Sequence, residues 1–94
     1  MAGGAESAPP VKRSVTIAGH ETSVALEPLF WSALESAALE TGQPLNALIA
    51  RIDAERLEGR SPPNLASALR QWLFRRAQDG GHERLLAVRR DVEP

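Results

Sequence analysis

The chain of 94 residues contains no cysteine and no tyrosine, and its only histidines are His20 and His82. Without cysteine it can form neither disulfides nor thiolate metal sites, and two imidazoles so far apart in sequence make no metal-ligand cluster. No apolar run approaches the ~18 residues that cross a bilayer, and no basic segment precedes an apolar one at the N-terminus. These absences predict a cytoplasmic protein with no metal and no membrane contact.

The constellations that carry catalysis are missing as well. The sequence has no Ser/His/Asp grouping, no cluster of metal ligands and no glycine-rich phosphate loop. We therefore expect no enzymatic activity and no cofactor.

Positive charge is absent from one third of the chain. Residues 19–50 carry four glutamates and neither lysine nor arginine, whereas residues 51–90 carry nine arginines, within a formal net charge of -1. A basic half facing an acidic middle can serve partner binding or head-to-tail self-association, and it can equally be an ordinary solvated surface. The sequence leaves both interpretations open.

The two ends of the chain are predicted to be flexible. Residues 1–10 are small and polar, and residues 78–94 include an Asp79-Gly80-Gly81 break. The remaining residues, 11–77, form one domain close to the size at which a single hydrophobic core is marginal. Because disulfides and metal sites are excluded, we expect oligomerisation to supply the missing stability, as an obligate homodimer.

Two stretches near the N-terminus have the alternation of β-strands. In VKRSVTI, residues 11–17, and in ETSVALE, residues 21–27, successive side chains alternate and β-branched residues are frequent. Ala18-Gly19-His20 lies between them and supplies a flexible turn residue. The pattern favours a hairpin, with one long arm bent at Gly19 as the alternative.

Three helical patterns follow the strands. Glu27-Pro28 is a typical helix start and Gly42 a typical helix end. Pro44 begins a second helix that runs to about Leu57, and Asn64 is a good N-cap for a third that ends near Ala77. The apolar residues at helical spacing are Phe30, Trp31, Leu34, Ala37 and Ala38, then Leu45, Leu48, Ile49 and Ile52, then Leu65, Leu69, Trp72 and Leu73. The sequence predicts a mainly α fold with a short β-ribbon.

The segment TSVALEPLFWSALESAALETGQPLNALIARID, residues 22–53, resembles the ribbon-helix-helix superfamily of bacterial repressors and antitoxins. A short alternating strand runs directly into a helix, and a glycine-centred turn carrying an asparagine leads to a second helix. The flanking segments make the resemblance closer to one small bacterial ribbon-helix-helix family, which has an additional N-terminal strand and a third helix. These segments are KRSVTIAGHETSVALE at the front and NLASALRQWLF behind the helix pair. The resemblance covers residues 12–76.

The resemblance implies a homodimeric DNA-binding transcriptional regulator. Two chains pair their strands into an antiparallel ribbon above interlocked helices, the ribbon enters the major groove, and the N-terminus of the second helix meets a phosphate. The residues expected to contact duplex DNA are Lys12, Arg13, Ser14, Thr16, Ser23 and Asn46. The expected dimer core consists of Val24, Leu26, Phe30, Trp31, Leu34, Leu48, Ile49 and Ile52.

The expected DNA-facing surface departs from the family's pattern. Glu21 and Ala25 stand where basic or hydroxyl-bearing residues are usual, and Pro44 stands where a Ser or Thr cap is common. If the first strand pairs beside the second, the dimer carries a four-stranded sheet, wider than the two-stranded ribbon that a major groove admits. If it is a loose arm, Lys12 and Arg13 can follow the DNA backbone. The alternative function is a protein-interaction or antitoxin-like dimerisation module, whose third helix and tail engage a partner.

Overall fold

Two strands precede three helices along the chain. The computed structural model describes residues 8–92, with the side chains of residues 8–80. The elements are β1 (Val11–Ile17), β2 (His20–Leu26), α1 (Pro28–Glu40), α2 (Leu45–Leu57) and α3 (Leu65–Val92). The predicted mainly helical fold with a short β-ribbon is confirmed.

The strands β1 and β2 form an antiparallel hairpin. Their register runs from Val11 opposite Leu26 to Ile17 opposite His20, which leaves Ala18 and Gly19 as a two-residue turn. Both turn residues have positive φ, 51° and 83°, as a type I′ turn requires. The hairpin prediction is therefore confirmed, and the alternative of a bent arm is wrong.

Local backbone chemistry sets the ends of α1. Pro28 occupies its first turn, and Gly42 follows it with φ of 68°. The N–H of Gln43 donates to the carbonyl of Ala38 at 3.0 Å, and that of Gly42 donates to Leu39 at 3.1 Å. These two bonds make a Schellman motif, which satisfies the last carbonyls of the helix. The end predicted at Gly42 is confirmed.

The third helix begins where predicted and ends later. The Asn64 side chain accepts a hydrogen bond from the N–H of Ser67 at 2.8 Å, so Asn64 is its N-cap. The predicted end near Ala77 is wrong, because α3 continues to Val92. Gly80 and Gly81 each lower the stability of the helix by about 1 kcal/mol relative to alanine. An established helix nevertheless gains one hydrogen bond for each residue added, so it can continue past them. The flexibility of residues 78–94 stays a prediction, and residues 1–7, 93 and 94 lie outside the described residues.

The helices pack together and against one face of the hairpin, around a single hydrophobic core. The buried residues of this core are Val15, Val24, Leu26, Trp31, Leu34, Ala37, Ala38, Leu48, Ile49, Ile52, Leu69 and Leu73. Seven of the eight residues predicted for a dimer core are among them, and the eighth, Phe30, is half-buried. One chain therefore buries seven of these eight side chains by itself, and the contact of all eight with a second chain stays a prediction. No helix in the described part of the chain is long and apolar enough to cross a membrane.

Candidate nucleic-acid interface

The outward face of the β1–β2 hairpin brings together most of the predicted DNA-contacting residues. Alternation places Val15, Val24 and Leu26 against the helices, so the intervening residues face solvent. The outward cross-strand pairs are Lys12 with Ala25, Ser14 with Ser23, and Thr16 with Glu21. All six are exposed except Ala25, which is half-buried. We call these six residues the ribbon face.

The ribbon face is polar and has no net charge. Its one cation, Lys12, lies near the open end of the hairpin, and its one carboxylate, Glu21, lies next to the turn. The hydroxyls of Ser14, Thr16 and Ser23 lie between them and can both donate and accept hydrogen bonds. The face can therefore offer hydrogen bonds along its length but attracts an anion at one end only.

The structure places Arg13 on the opposite side of the hairpin from the ribbon face. Its guanidinium lies 4.7 Å from the centroid of the Trp31 ring, and it donates to the Glu35 carboxylate at 3.1 Å. The indole N–H of Trp31 in turn donates to the carbonyl of Val11 at 2.8 Å. Arg13 thus fastens β1 to α1, and its predicted DNA contact is not favoured by this position.

Asn46 lies apart from the ribbon face, exposed in the first turn of α2. Pro44 is the N-cap of this helix and provides no side-chain hydrogen bond, as its sequence position implies. The first N–H groups of any helix lack intrahelical acceptors, so those of Leu45 and Asn46 stay available to an acceptor such as a phosphate oxygen. Because α2 packs against β1, this helix end belongs to the same layered body as the hairpin.

The acidic stretch and the basic stretch of the sequence pair with each other inside the chain. Arg70 on α3 donates to the Glu27 carboxylate at 3.0 and 3.1 Å, and Arg76 pairs with Glu40. The backbone N–H of Glu27, and then the Arg70 guanidinium, hold the pKa of the Glu27 carboxyl below its ordinary value. The charge pattern signals these contacts, but only the fold shows that they form within one chain.

A cleft separates the C-terminal half of α1 from α3. It has a volume of about 770 Å³ and is lined on α1 by Ala33, Ser36 and Glu40 and on α3 by Trp72 and Arg76, among others. Sequence reasoning missed this cleft because its walls consist mainly of small or charged residues without a motif. Among the described residues, no three His, Asp or Glu side chains are grouped as metal ligands.

Comparison with known proteins finds one family. The family model described as a ribbon-helix-helix domain matches residues 10–77, which include both strands, α1, α2 and the first part of α3. No curated protein and no solved structure matches the chain.

Proposed function

This chain belongs to the ribbon-helix-helix domain family, and we propose on that basis that it is a homodimeric DNA-binding protein that regulates transcription. The observation that carries the proposal is the ribbon face. It presents three hydroxyls and one amine, all exposed, on a rigid pair of strands. Ser and Thr hydroxyls can bond to donors or acceptors on base edges, and a two-stranded ribbon fits the major groove.

The proposed contacts divide into two kinds. Ser14, Thr16 and Ser23 occupy the middle of the ribbon face, where they would approach base edges and read sequence. Lys12 at the open end of the hairpin, and the N-terminus of α2 with Asn46, would meet phosphates and set the orientation. Glu21 next to the turn would approach phosphates with the unfavourable sign.

The proposed homodimer uses the second edge of β2. Within residues 8–92 the sheet has two strands, so no third strand covers that edge. A dimer joined there carries four strands about 14 Å across, which exceeds the ~12 Å width of the major groove. We therefore assign groove contact to the hairpin of each chain rather than to the joined sheet.

The test is a selection of genomic DNA fragments by the purified full-length chain at low salt. We expect enriched fragments, a changed sequence preference for Ser23→Ala, and tighter binding for Glu21→Arg. Ser36→Ala, an exposed serine on α1, is the matched control and should keep the wild-type preference. If no fragment is enriched, and Glu21→Arg binds no better, the proposed function is wrong.

A second candidate function is a protein-interaction module. The surface of α3 favours it, because Phe74 leaves 64% of its area exposed. Exposed aromatic residues of this kind anchor many protein interfaces. A partner that co-purifies with the wild type and with Lys12→Ala, but not with Phe74→Glu, would support this function over DNA binding.

A further inference from the structure

The outer face of α1 carries two exposed leucines on one side of the helix. Leu29 and Leu39 are 74% and 83% exposed, and the exposed Ser32 and Ser36 lie between them. Successive members of this set are three, four and three residues apart. This is the spacing of positions a and d in a coiled-coil heptad, and we call the four residues the α1 stripe. A stripe of this kind fits a second helix packed along it.

Two glutamates flank the α1 stripe. Glu35 and Glu40 occupy heptad positions g and e beside it, and their side chains are 51% and 67% exposed. Each accepts a hydrogen bond from an arginine of its own chain, Arg13 and Arg76 respectively, through one carboxylate oxygen. An ionised carboxylate can accept several hydrogen bonds, so both can receive a further cation. The α1 stripe therefore has acidic borders.

The second half of α3 has an apolar series of the same spacing. Residues 78–92 of this helix lie beyond the part of the chain that matches the family. Positions 74, 81, 85, 88 and 92 fall within about 60° of one another around an α-helix, on the side away from the buried Leu69 and Leu73. The residues at these positions are Phe74, Gly81, Leu85, Val88 and Val92. Phe74 is 64% exposed, which marks this side of α3 as the outer one.

The heptad positions beside this series are basic. With Leu85 at position a and Val88 at position d, Arg84 occupies position g and Arg89 position e. Two copies of α3 packed in parallel would bring these arginines together, and like charges at positions e and g disfavour a pairing. The series therefore fits a helix with acidic borders better than it fits another α3.

The α1 stripe and the α3 series match in one parallel register, in which Val88 lies level with Leu39. Both helices then have their a and d positions in phase, and position g of each helix meets position e of the other. The resulting pairs of opposite charge are Glu35 with Arg89 and Glu40 with Arg84. Apolar spacing and charge thus agree on the same alignment.

We infer from this match that the second half of α3 packs along the α1 stripe of a second copy of this chain. When each of two chains extends its α3 to the other, the contact closes into a symmetric pair. Head-to-tail self-association of the acidic and basic stretches then has a defined register. The contact goes beyond the proposed function, because it is separate from the edge of β2 and needs no DNA.

The absence of cysteine from the chain permits a direct test by disulfide cross-linking. One full-length chain carries Leu39→Cys and another, distinguished by a tag, carries Val88→Cys, so that a 39–88 disulfide always joins two chains. In the control, Leu57→Cys replaces Leu39→Cys, at a position of α2 that is 59% exposed. Because packing side by side raises the effective concentration of the two thiols, we expect the 39–88 disulfide to form at least about tenfold faster than the 57–88 disulfide. Equal rates, or Val88→Cys chains joined only to each other, would overturn the inference.

The second test reverses the charges beside the α3 series. Arg84→Glu combined with Arg89→Glu brings like charges together in the inferred register, and we expect the 39–88 disulfide to form about tenfold more slowly. Arg51→Glu combined with Arg60→Glu changes two exposed arginines outside the contact and should leave the rate unchanged. If the first pair of reversals cross-links as fast as the second, the inferred register is wrong. Both measurements are made without DNA, so this inference and the proposed function can fail independently.

Discussion

At the scale of single residues, neighbouring positions of β2 have opposite environments. Val24 is 3% exposed in the core, and Ser23 beside it belongs to the exposed ribbon face. A carboxylate placed at position 24 would be buried, and its cross-strand neighbour Arg13 is already paired with Glu35. This burial costs several kcal/mol, and a domain of this size is stable by only about 5–10 kcal/mol. We therefore expect Val24→Asp to unfold the protein and Ser23→Asp to leave its fold intact.

Circular dichroism with urea titration measures both variants against the wild type. The matched pair isolates strand register from any general effect of an aspartate on β2. Equal losses of stability would mean that the assigned faces of β2 are incorrect.

Residue burial is the part of this fold that the sequence predicts best. The alternation in β2 and the helical spacing in α1 each mark an inner face, and the structure buries Val24 and Leu26 on the first and Trp31 and Leu34 on the second. Periodicity does not say which chain covers a buried face, so the dimer contact predicted for the same residues stays a prediction. The contact between Arg13 and Glu35, 22 residues apart, is equally beyond a local pattern.

At the scale of elements, one ion pair joins the start of α1 to α3. Glu27 is the N-cap residue of α1, where negative charge is favoured by the helix dipole, and its carboxylate accepts hydrogen bonds from Arg70. Its pKa in the folded state is lowered by its own backbone N–H and by Arg70. A carboxylate whose pKa is lower in the folded state than in the unfolded state stabilises the fold when the pH is above its unfolded-state pKa. This contribution is lost as the pH falls through its folded-state pKa.

We expect Glu27→Gln to be less stable than the wild type near neutral pH. The two proteins should approach each other in acid, as the pH falls below the ordinary Glu pKa of about 4.3 and through the lower folded-state value. Urea unfolding across this pH range measures the difference between the two proteins. In an Arg70→Ala background the difference should shrink, since one of its two favourable causes is gone. A difference that stays constant with pH would show that the Glu27 carboxylate does not contribute through its charge.

Element boundaries divide into those that local chemistry decides and those that it does not. Some helix ends are set by contacts within a single helical turn, and each boundary predicted from such a contact is confirmed. The residues that make these contacts are Asn64, Gly42 and the Glu27-Pro28 pair. The end of α3 is different, because Gly80 and Gly81 weaken a helix without terminating it. Whether the helix continues depends on the residues beyond, and α3 extends to Val92.

At the scale of the whole molecule, four of the eight Lys and Arg residues whose side chains the structure describes form ion pairs with the chain's own carboxylates. Arg13, Arg56, Arg70 and Arg76 each form an ion pair, and three of the four glutamates in residues 19–50 take part. The site predicted from the sequence therefore changes in composition: the hydroxyls and Lys12 share the ribbon face, whereas Arg13 does not. Sequence alone could not show this, because pairing between distant charges follows from the tertiary fold.

This distribution of charge predicts a weak dependence of DNA affinity on salt. Each phosphate neutralised by a lysine or arginine contributes about -0.9 to the slope of log affinity against log salt concentration. With Lys12 as the one cation on each ribbon face, a dimer makes about two such contacts, and the expected slope is about -2. Fluorescence anisotropy with a selected DNA fragment at increasing salt concentration measures this slope.

Lys12→Ala should bring the slope close to zero and weaken binding to all sequences alike, whereas Arg60→Ala, in the turn before α3, should leave the slope unchanged. A wild-type slope of about -4 or steeper would mean that arginines outside the ribbon face contact the phosphates, and that the DNA lies across the helices as well as the hairpin.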